Sequence, residues 1–260
     1  MHLDPLSLFF SFVFGALVGS FLNVCAHRLP REESIVRPRS RCPNCGTPIK
    51  WYDNIPLLSY LLLRGRCRHC KAPISKRYLF LELFSALFSL VLNIRFGWSV
   101  SYLLFFSFVA ALLLVSAIDF AHQIIPDEIS LPGILVGLVF SFWNPLVSPK
   151  EAFLGALCGA GSLYLIGEFY FFLTKREGLG GGDLKLLAFI GAFLGLQSLL
   201  PVIFWASLVG ALSGITLAVW QKAEKKRTFA LPFGPFLSLG ALIYLFFPEK
   251  ANQFLSLWLP

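Results

Sequence analysis

Two aspartates in this 260-residue chain could do chemistry together. Asp183 stands in Gly178-Leu179-Gly180-Gly181-Gly182-Asp183-Leu184-Lys185, between an apolar run that ends near Leu173 and another that starts at Leu186. Asp119 stands in Ser116-Ala117-Ile118-Asp119-Phe120, at the end of a separate apolar run. An ionisable group at the mouth of such a run is a functional candidate, because lipid-facing chain elsewhere excludes charge. Two carboxylates sharing one water cannot both ionise easily, and low-dielectric surroundings favour one neutral member. The charged member takes a proton from water, the water attacks a peptide carbonyl, and the neutral member donates to the developing oxyanion. The glycines before Asp183 would admit a substrate backbone and permit positive φ. A phosphate cradle fits less well, since no strand precedes the glycines and no Gly-Lys-Ser/Thr follows. The pair could also serve as the cation or proton site of a transporter, and the chemistry alone leaves both readings open.

A second constellation is Cys42-Pro43-Asn44-Cys45, then twenty-one residues, then Cys67-Arg68-His69-Cys70. Paired cysteines at this spacing predict a tetrahedral zinc site, structural rather than catalytic because four sulfurs leave no open position. His69 reads as a surface residue. Cys25 and Cys158 lie in apolar runs and read as packing residues. Between the pairs, Trp51-Tyr52-Asp53-Asn54-Ile55-Pro56 suggests a turn, with Trp and Tyr suited to a membrane interface.

The elements that must position these groups are helices in a bilayer. Hydrophobic residues make up 57% of the chain and charged residues 14%, against about a quarter charged in a soluble domain. Eight apolar segments are expected, roughly 6–26, 79–96, 101–118, 129–147, 152–173, 185–200, 202–221 and 231–247. The segments at 79–96, 185–200 and 231–247 are near the short end of a span. The first shows no basic n-region or cleavage site, so it reads as a retained helix rather than a signal. Residues 250–260, with Phe254, Leu257 and Trp258, read as interfacial. The expected fold is therefore an all-α polytopic membrane protein with a zinc-ribbon-like loop. Its domains are 1–26 as a first span, 27–78 as the four-cysteine loop, and 79–260 as the unit carrying both aspartates.

Charge orients the spans. Residues 27–78 hold twelve Lys/Arg, the loop after Leu173 adds Lys175, Arg176 and Lys185, and the loop after Gln221 adds Lys222, Lys225, Lys226 and Arg227. The other side keeps Arg95, Lys150 and Lys250, which puts the N-terminus outside and the cysteine loop and both aspartates at the cytoplasmic face. The net charge of +8 is mostly this bias, and the basic residues flank spans rather than form one stripe, which argues against nucleic acid. Glycine strings at Gly15–Gly19, Gly155–Gly159, Gly191–Gly195 and Gly210–Gly214 predict close helix packing. Asp127, after Pro126, reads as a helix cap or first-turn acid. Glu82 and Glu168 read as snorkelling or helix–helix hydrogen-bonding groups.

Taken together, these motifs resemble the bacterial prepilin peptidases, the GxGD-type aspartic proteases of type IV pilus, type II secretion and competence systems. The resemblance covers nearly the whole chain. It rests on Gly19-Ser20-Phe21-Leu22-Asn23-Val24 with Arg28-Leu29-Pro30, both cysteine pairs, Trp51 to Pro56 and Ile74-Ser75-Lys76-Arg77-Tyr78. It rests equally on Ile118-Asp119 with Pro126-Asp127, Gly180 to Leu186, and Pro232-Phe233-Gly234-Pro235-Phe236. It implies a bacterial inner-membrane endopeptidase that cuts the basic leader of type IV prepilins or pseudopilins after a glycine at the cytoplasmic face. Many members then N-methylate the new N-terminus with S-adenosylmethionine. By the same resemblance Asp119 and Asp183 are the catalytic pair, and Cys42, Cys45, Cys67 and Cys70 carry zinc. S-adenosylmethionine-binding residues are unknown. The chain departs from many members in having Ala86 where they carry glycine.

Overall fold

The computed structural model describes residues 4–175, 180–220 and 231–256, the last three by backbone only. Within these the chain is all-helical: α1 Pro5–Arg28, α2 Leu58–Leu62, α3 Lys76–Phe96, α4 Val100–His122, α5 Asp127–Phe140, α6 Pro149–Thr174, α7 Gly181–Leu194, α8 Leu199–Trp220, α9 Gly234–Phe246 and α10 Pro248–Ser256. Five stretches, containing α1, α3, α4, α6 and α8, are long and apolar enough to cross a membrane among the described residues. The protein is a polytopic helical membrane protein. Gly178, Leu179, Arg176, the basic cluster Lys222 to Arg227, Leu257 and Trp258 lie outside the described residues, as does the side chain of Phe254.

Each expected apolar segment contains a helix, but some boundaries move. Segment 79–96 is a full helix of 21 residues, whereas 129–147 yields a helix of only 14. The shortening has a local cause. Asn144 precedes Pro145, which disfavours helical backbone there. The Asn144 side chain instead accepts from Leu146 N at 2.9 Å and donates to Phe193 O at 3.0 Å. Segment 185–200 ends at Gly195, whose φ of +78 closes α7 with its amide on Gly191 O.

The chain forms two compact units, Met1–Ile118 and Asp119–Pro260. In the first, α1 and α3 run antiparallel, joined by a polar ladder of period four. Asn93 Nδ2 donates to Ser7 O at 3.1 Å, Ser89 Oγ to Ser11 O at 2.6 Å, and Ser85 Oγ to Gly15 O at 2.7 Å. The glycines make the approach possible: a Cβ on Gly15 would lie 2.6 Å from Ser85 O and 2.7 Å from Ala86 Cα. Ala86 is fully buried at this crossing. Interhelical hydrogen bonds of this kind add about 0.6 kcal/mol each in lipid, so close packing carries much of the association.

In the second unit α7 is the axis, buried without interruption from Leu186 to Leu194. α6 meets it backbone to backbone. A Cβ on Gly155 would fall on the Gly191 carbonyl, and one on Gly159 would lie 2.7 Å from Leu187 O. α5 lays Gly133 and Gly137 on the rings of Phe189 and Phe193, and α9 brings Gly240 onto Val202 of α8. The string Gly210–Gly214 differs: its nearest neighbours are Phe236 and Leu231 side chains at 3.4 Å, ordinary contact rather than backbone approach. Cys25 is buried, but Cys158 is exposed on α6 and packs nothing inward.

Candidate active site and metal centre

Three chain segments of the second unit converge on Asp119. The aspartate lies near the end of α4 and is 5% exposed. Its Oδ2 accepts from the backbone N–H of Gly234, the first residue of α9, at 2.9 Å. A Cβ on Gly234 would lie 2.6 Å from that same oxygen and 3.2 Å from Ile125 Cδ1. Ile125 follows the α4 turn, where Gln123 adopts a φ of +56, and its Cβ would sit 2.9 Å from a Cβ on Gly182. Ile125 is thus wedged between the glycine before Asp183 and the glycine that binds Asp119.

Asp183 occupies the first turn of α7, with its own amide on Gly180 O at 3.1 Å. It is half-buried and close enough to Asp119 for their charges to act on each other. The glycines of this turn do not serve quite as expected. Gly180 has a φ of −73, and neither Gly181 nor Gly182 has positive φ, so left-handed backbone is not their purpose. Gly182 is required by contact with Ile125, while a Cβ on Gly181 would meet nothing within 4 Å.

Asp127 lies in the first turn of α5 and makes no side-chain cap, the cap position being Pro126. Its carboxylate instead takes Lys185 Nζ at 2.7 and 2.8 Å, tying the start of α5 to the start of α7. Sequence reasoning missed this pair, and the period of the helices gives no signal for it.

In the first unit the four cysteine sulfurs lie within 4.8 Å of one another. Both pairs sit on the same turn. Cys42 N donates to Thr47 O and Gly46 N to Cys42 O; Cys67 N donates to Ala72 O and Lys71 N to Cys67 O. The residue after each second cysteine is left-handed, Gly46 at φ +70 and Lys71 at φ +58. Two such knuckles aim four sulfurs at one point. Tetrahedral zinc with bonds of about 2.3 Å separates its sulfurs by about 3.8 Å, and Cys42 Sγ and Cys70 Sγ are 3.8 Å apart. The side-chain hydroxyl of Thr47, 3.3 Å from Cys45 Sγ, together with its backbone amide pulls that thiol down to about 6. Backbone amides of Cys70 and His69 lower Cys67. Hydrogen bonding within the cluster, with Cys67 and Cys45, works the other way on Cys42, whose thiol is pushed up to about 11. The donor set fits zinc in number and in the spacing of its sulfurs. His69 is exposed.

Around the knuckles, Arg68 grips Asp53 at 2.5 Å and holds the short helix Trp51–Asn54, and Trp51 is 81% exposed. Glu82 of α3 accepts from Leu57 N at 2.8 Å, with the polar side chains of Ser20 and Asn23 of α1 near its carboxyl. It is therefore a helix–helix acceptor that also holds Leu57, whose φ of +63 is costly for a residue with a side chain. Glu168 is exposed on α6.

Comparison with known proteins agrees with this architecture. Residues 13–96 match the bacterial peptidase A24 N-terminal domain and residues 106–215 match the type IV leader peptidase family. A prepilin leader peptidase/N-methyltransferase of Myxococcus xanthus is 43% identical over 87% of this chain and 68% of its own length. Proteins of the same name from Burkholderia pseudomallei and Pseudomonas aeruginosa are 39% and 37% identical, over 93% and 92% of this chain and 86% and 90% of theirs. No solved structure matches. With both family regions present in order and likeness running across most of its length, the chain belongs to the type IV leader peptidase family.

Proposed function

We propose that this protein is a membrane aspartic endopeptidase that removes the leader of type IV prepilins or pseudopilins after a glycine, and that it N-methylates the new N-terminus. The observation that carries the peptidase reading is the placement of Asp119 and Asp183 in one unit, each at a helix end, with Ile125 packed against both the glycine before Asp183 and the glycine that holds Asp119. The relatives' shared name supports both activities. The transporter reading of the pair has no comparable support.

In this reading Asp119 and Asp183 hold one water and share one proton. The ionised carboxylate takes a proton as the water oxygen attacks the scissile carbonyl carbon, and the neutral carboxyl donates to the oxyanion. Collapse breaks the C–N bond, a proton passes to the leaving amine, and the pair returns to its starting state. A prepilin with an apolar helix in the bilayer and a basic leader in the cytoplasm would bring its scissile bond to the ends of α4 and α7. The excess of Lys/Arg in the loops after α1, α6 and α8 supports an N-terminus outside and this site at the cytoplasmic face of the inner membrane.

Cys42, Cys45, Cys67 and Cys70 would hold a structural zinc that fixes a loop with few apolar residues of its own. S-adenosylmethionine would supply the methyl group. The described residues form no strand, hence no strand–turn–helix nucleotide cradle, so the donor would be held by another architecture. The domain reading that follows is a first span at 1–26, a zinc loop at 27–78 that serves methylation, and a peptidase region at 79–260. Mass spectrometry of a pilin exposed to the purified enzyme tests the whole reading. Leader loss with one added methylene at the new N-terminus is expected; an uncut prepilin alongside ion flux through the protein would favour a transporter.

A further inference from the structure

The chemistry of a shared water depends on which oxygen of each carboxyl faces it. Asp119 has two oxygens, and the structure treats them differently. Oδ2 is buried against α9 and takes the Gly234 amide at 2.9 Å. That amide opens a helix of 13 residues, so it is a first-turn N–H with no intrahelical acceptor of its own. An unpaired donor and a buried carboxylate therefore satisfy one another, and the positive end of α9 adds to the attraction. The contact also leaves no latitude: Gly234 is hemmed by Asp119 and by Ile125, and Ile125 in turn by Gly182, the neighbour of Asp183. Any side chain at position 234 must displace the oxygen that the amide holds.

We propose that Gly234 is a positioning residue for the hydrolytic step: its backbone N–H locks Asp119 Oδ2 and thereby presents Oδ1 to the nucleophilic water and Asp183. The glycine is required because the lock forms at backbone distance, where no Cβ fits. This rests on the reading of Asp119 as catalytic. Nothing passes through Gly234 itself; it sets the angle from which Oδ1 receives the water's proton.

The test uses the full-length protein in detergent or nanodiscs. In Gly234→Ala, kcat for leader cleavage should fall on the order of a hundredfold, the scale of an ångström-sized misplacement, while KM for prepilin and methylation of an already cleaved pilin stay near wild type. A general packing defect would instead lower methylation and folded yield along with cleavage. Gly240→Ala, equally crowded on the same helix but against Val202, should keep its kcat per folded molecule. Wild-type kcat in Gly234→Ala, or an equal kcat loss in Gly240→Ala, overturns the proposal. A second measurement does not need the Gly234 variant to fold. In Asp119→Ala, hydrogen exchange in residues 231–237 should accelerate while the rest of α9 is unchanged; unaltered exchange there means the amide was not held by Asp119. Should Asp119→Asn cleave normally, the catalytic reading fails. Should it be inactive while Gly234→Ala is normal, only the positioning claim fails.

Discussion

Asp127 and Asp119 show how differently two acids eight positions apart can be used. Asp119 is buried and held by a backbone amide, whereas Asp127 is about half exposed and paired with Lys185. An exposed ion pair contributes about 0–1 kcal/mol, so the Asp127–Lys185 contact orients two helix starts rather than stabilising them. Asp127→Asn should therefore retain most of the cleavage rate and lose little thermal stability, as read by a gel-based cleavage assay and a melting curve. Complete loss of cleavage would place Asp127 among the reacting groups. Neither the Lys185 contact nor the Gly234 amide, 115 positions from Asp119, was legible in the sequence. Local periodicity records which face of a helix is buried; it carries no information on which distant backbone arrives there.

At the scale of elements, glycine spacing was informative and its variety was not. α6 carries both a glycine that must stay bare and one that need not. Gly159→Ala drives a Cβ into the Leu187 carbonyl and should cost about 1–3 kcal/mol, whereas Gly161→Ala, with nothing within 4 Å, should leave the melting temperature unchanged or slightly higher. Equal effects would mean that the α6–α7 contact is looser than described. The cysteine loop makes a separate prediction. Metal analysis should give about one zinc per chain, lost in Cys42→Ser/Cys67→Ser with methylation impaired more than cleavage. Its pH dependence has a fixed sign. Cys45 in the folded loop titrates at about 6, well below an ordinary thiol. Its contribution is therefore complete above the ordinary thiol range and is lost as pH falls through the folded value. A bound metal lowers that value further, so zinc should stay bound at pH 7 and leave only below about 6. Release on raising the pH through neutrality would contradict the thiolate assignment. The cysteine spacing and the ladder of Ser85, Ser89 and Asn93 at period four were both present in the sequence, and only the first has an established reading.

Taken as a molecule, the protein carries Asp119 and Asp183 at the ends of helices, and α7 is closely packed through its middle. α7 is buried along most of its length, so Asp183 is carried on a rigid post, and Asp119 is pinned by the start of α9. Eight apolar segments were readable and each holds a helix, though only five described stretches are long and apolar enough to cross a membrane. The shortness of α7 was anticipated from segment 185–200, but that of α5 was not, since a turn at Asn144 is a local choice that apolar composition conceals. The most direct test of the account is leader cleavage by Asp119→Asn and Asp183→Asn in the inserted, full-length protein. Each substitution keeps the shape of the side chain and removes its acid, so each should abolish cleavage while methylation of a pre-cleaved pilin persists. Normal processing by either variant would contradict a shared-water mechanism at this pair.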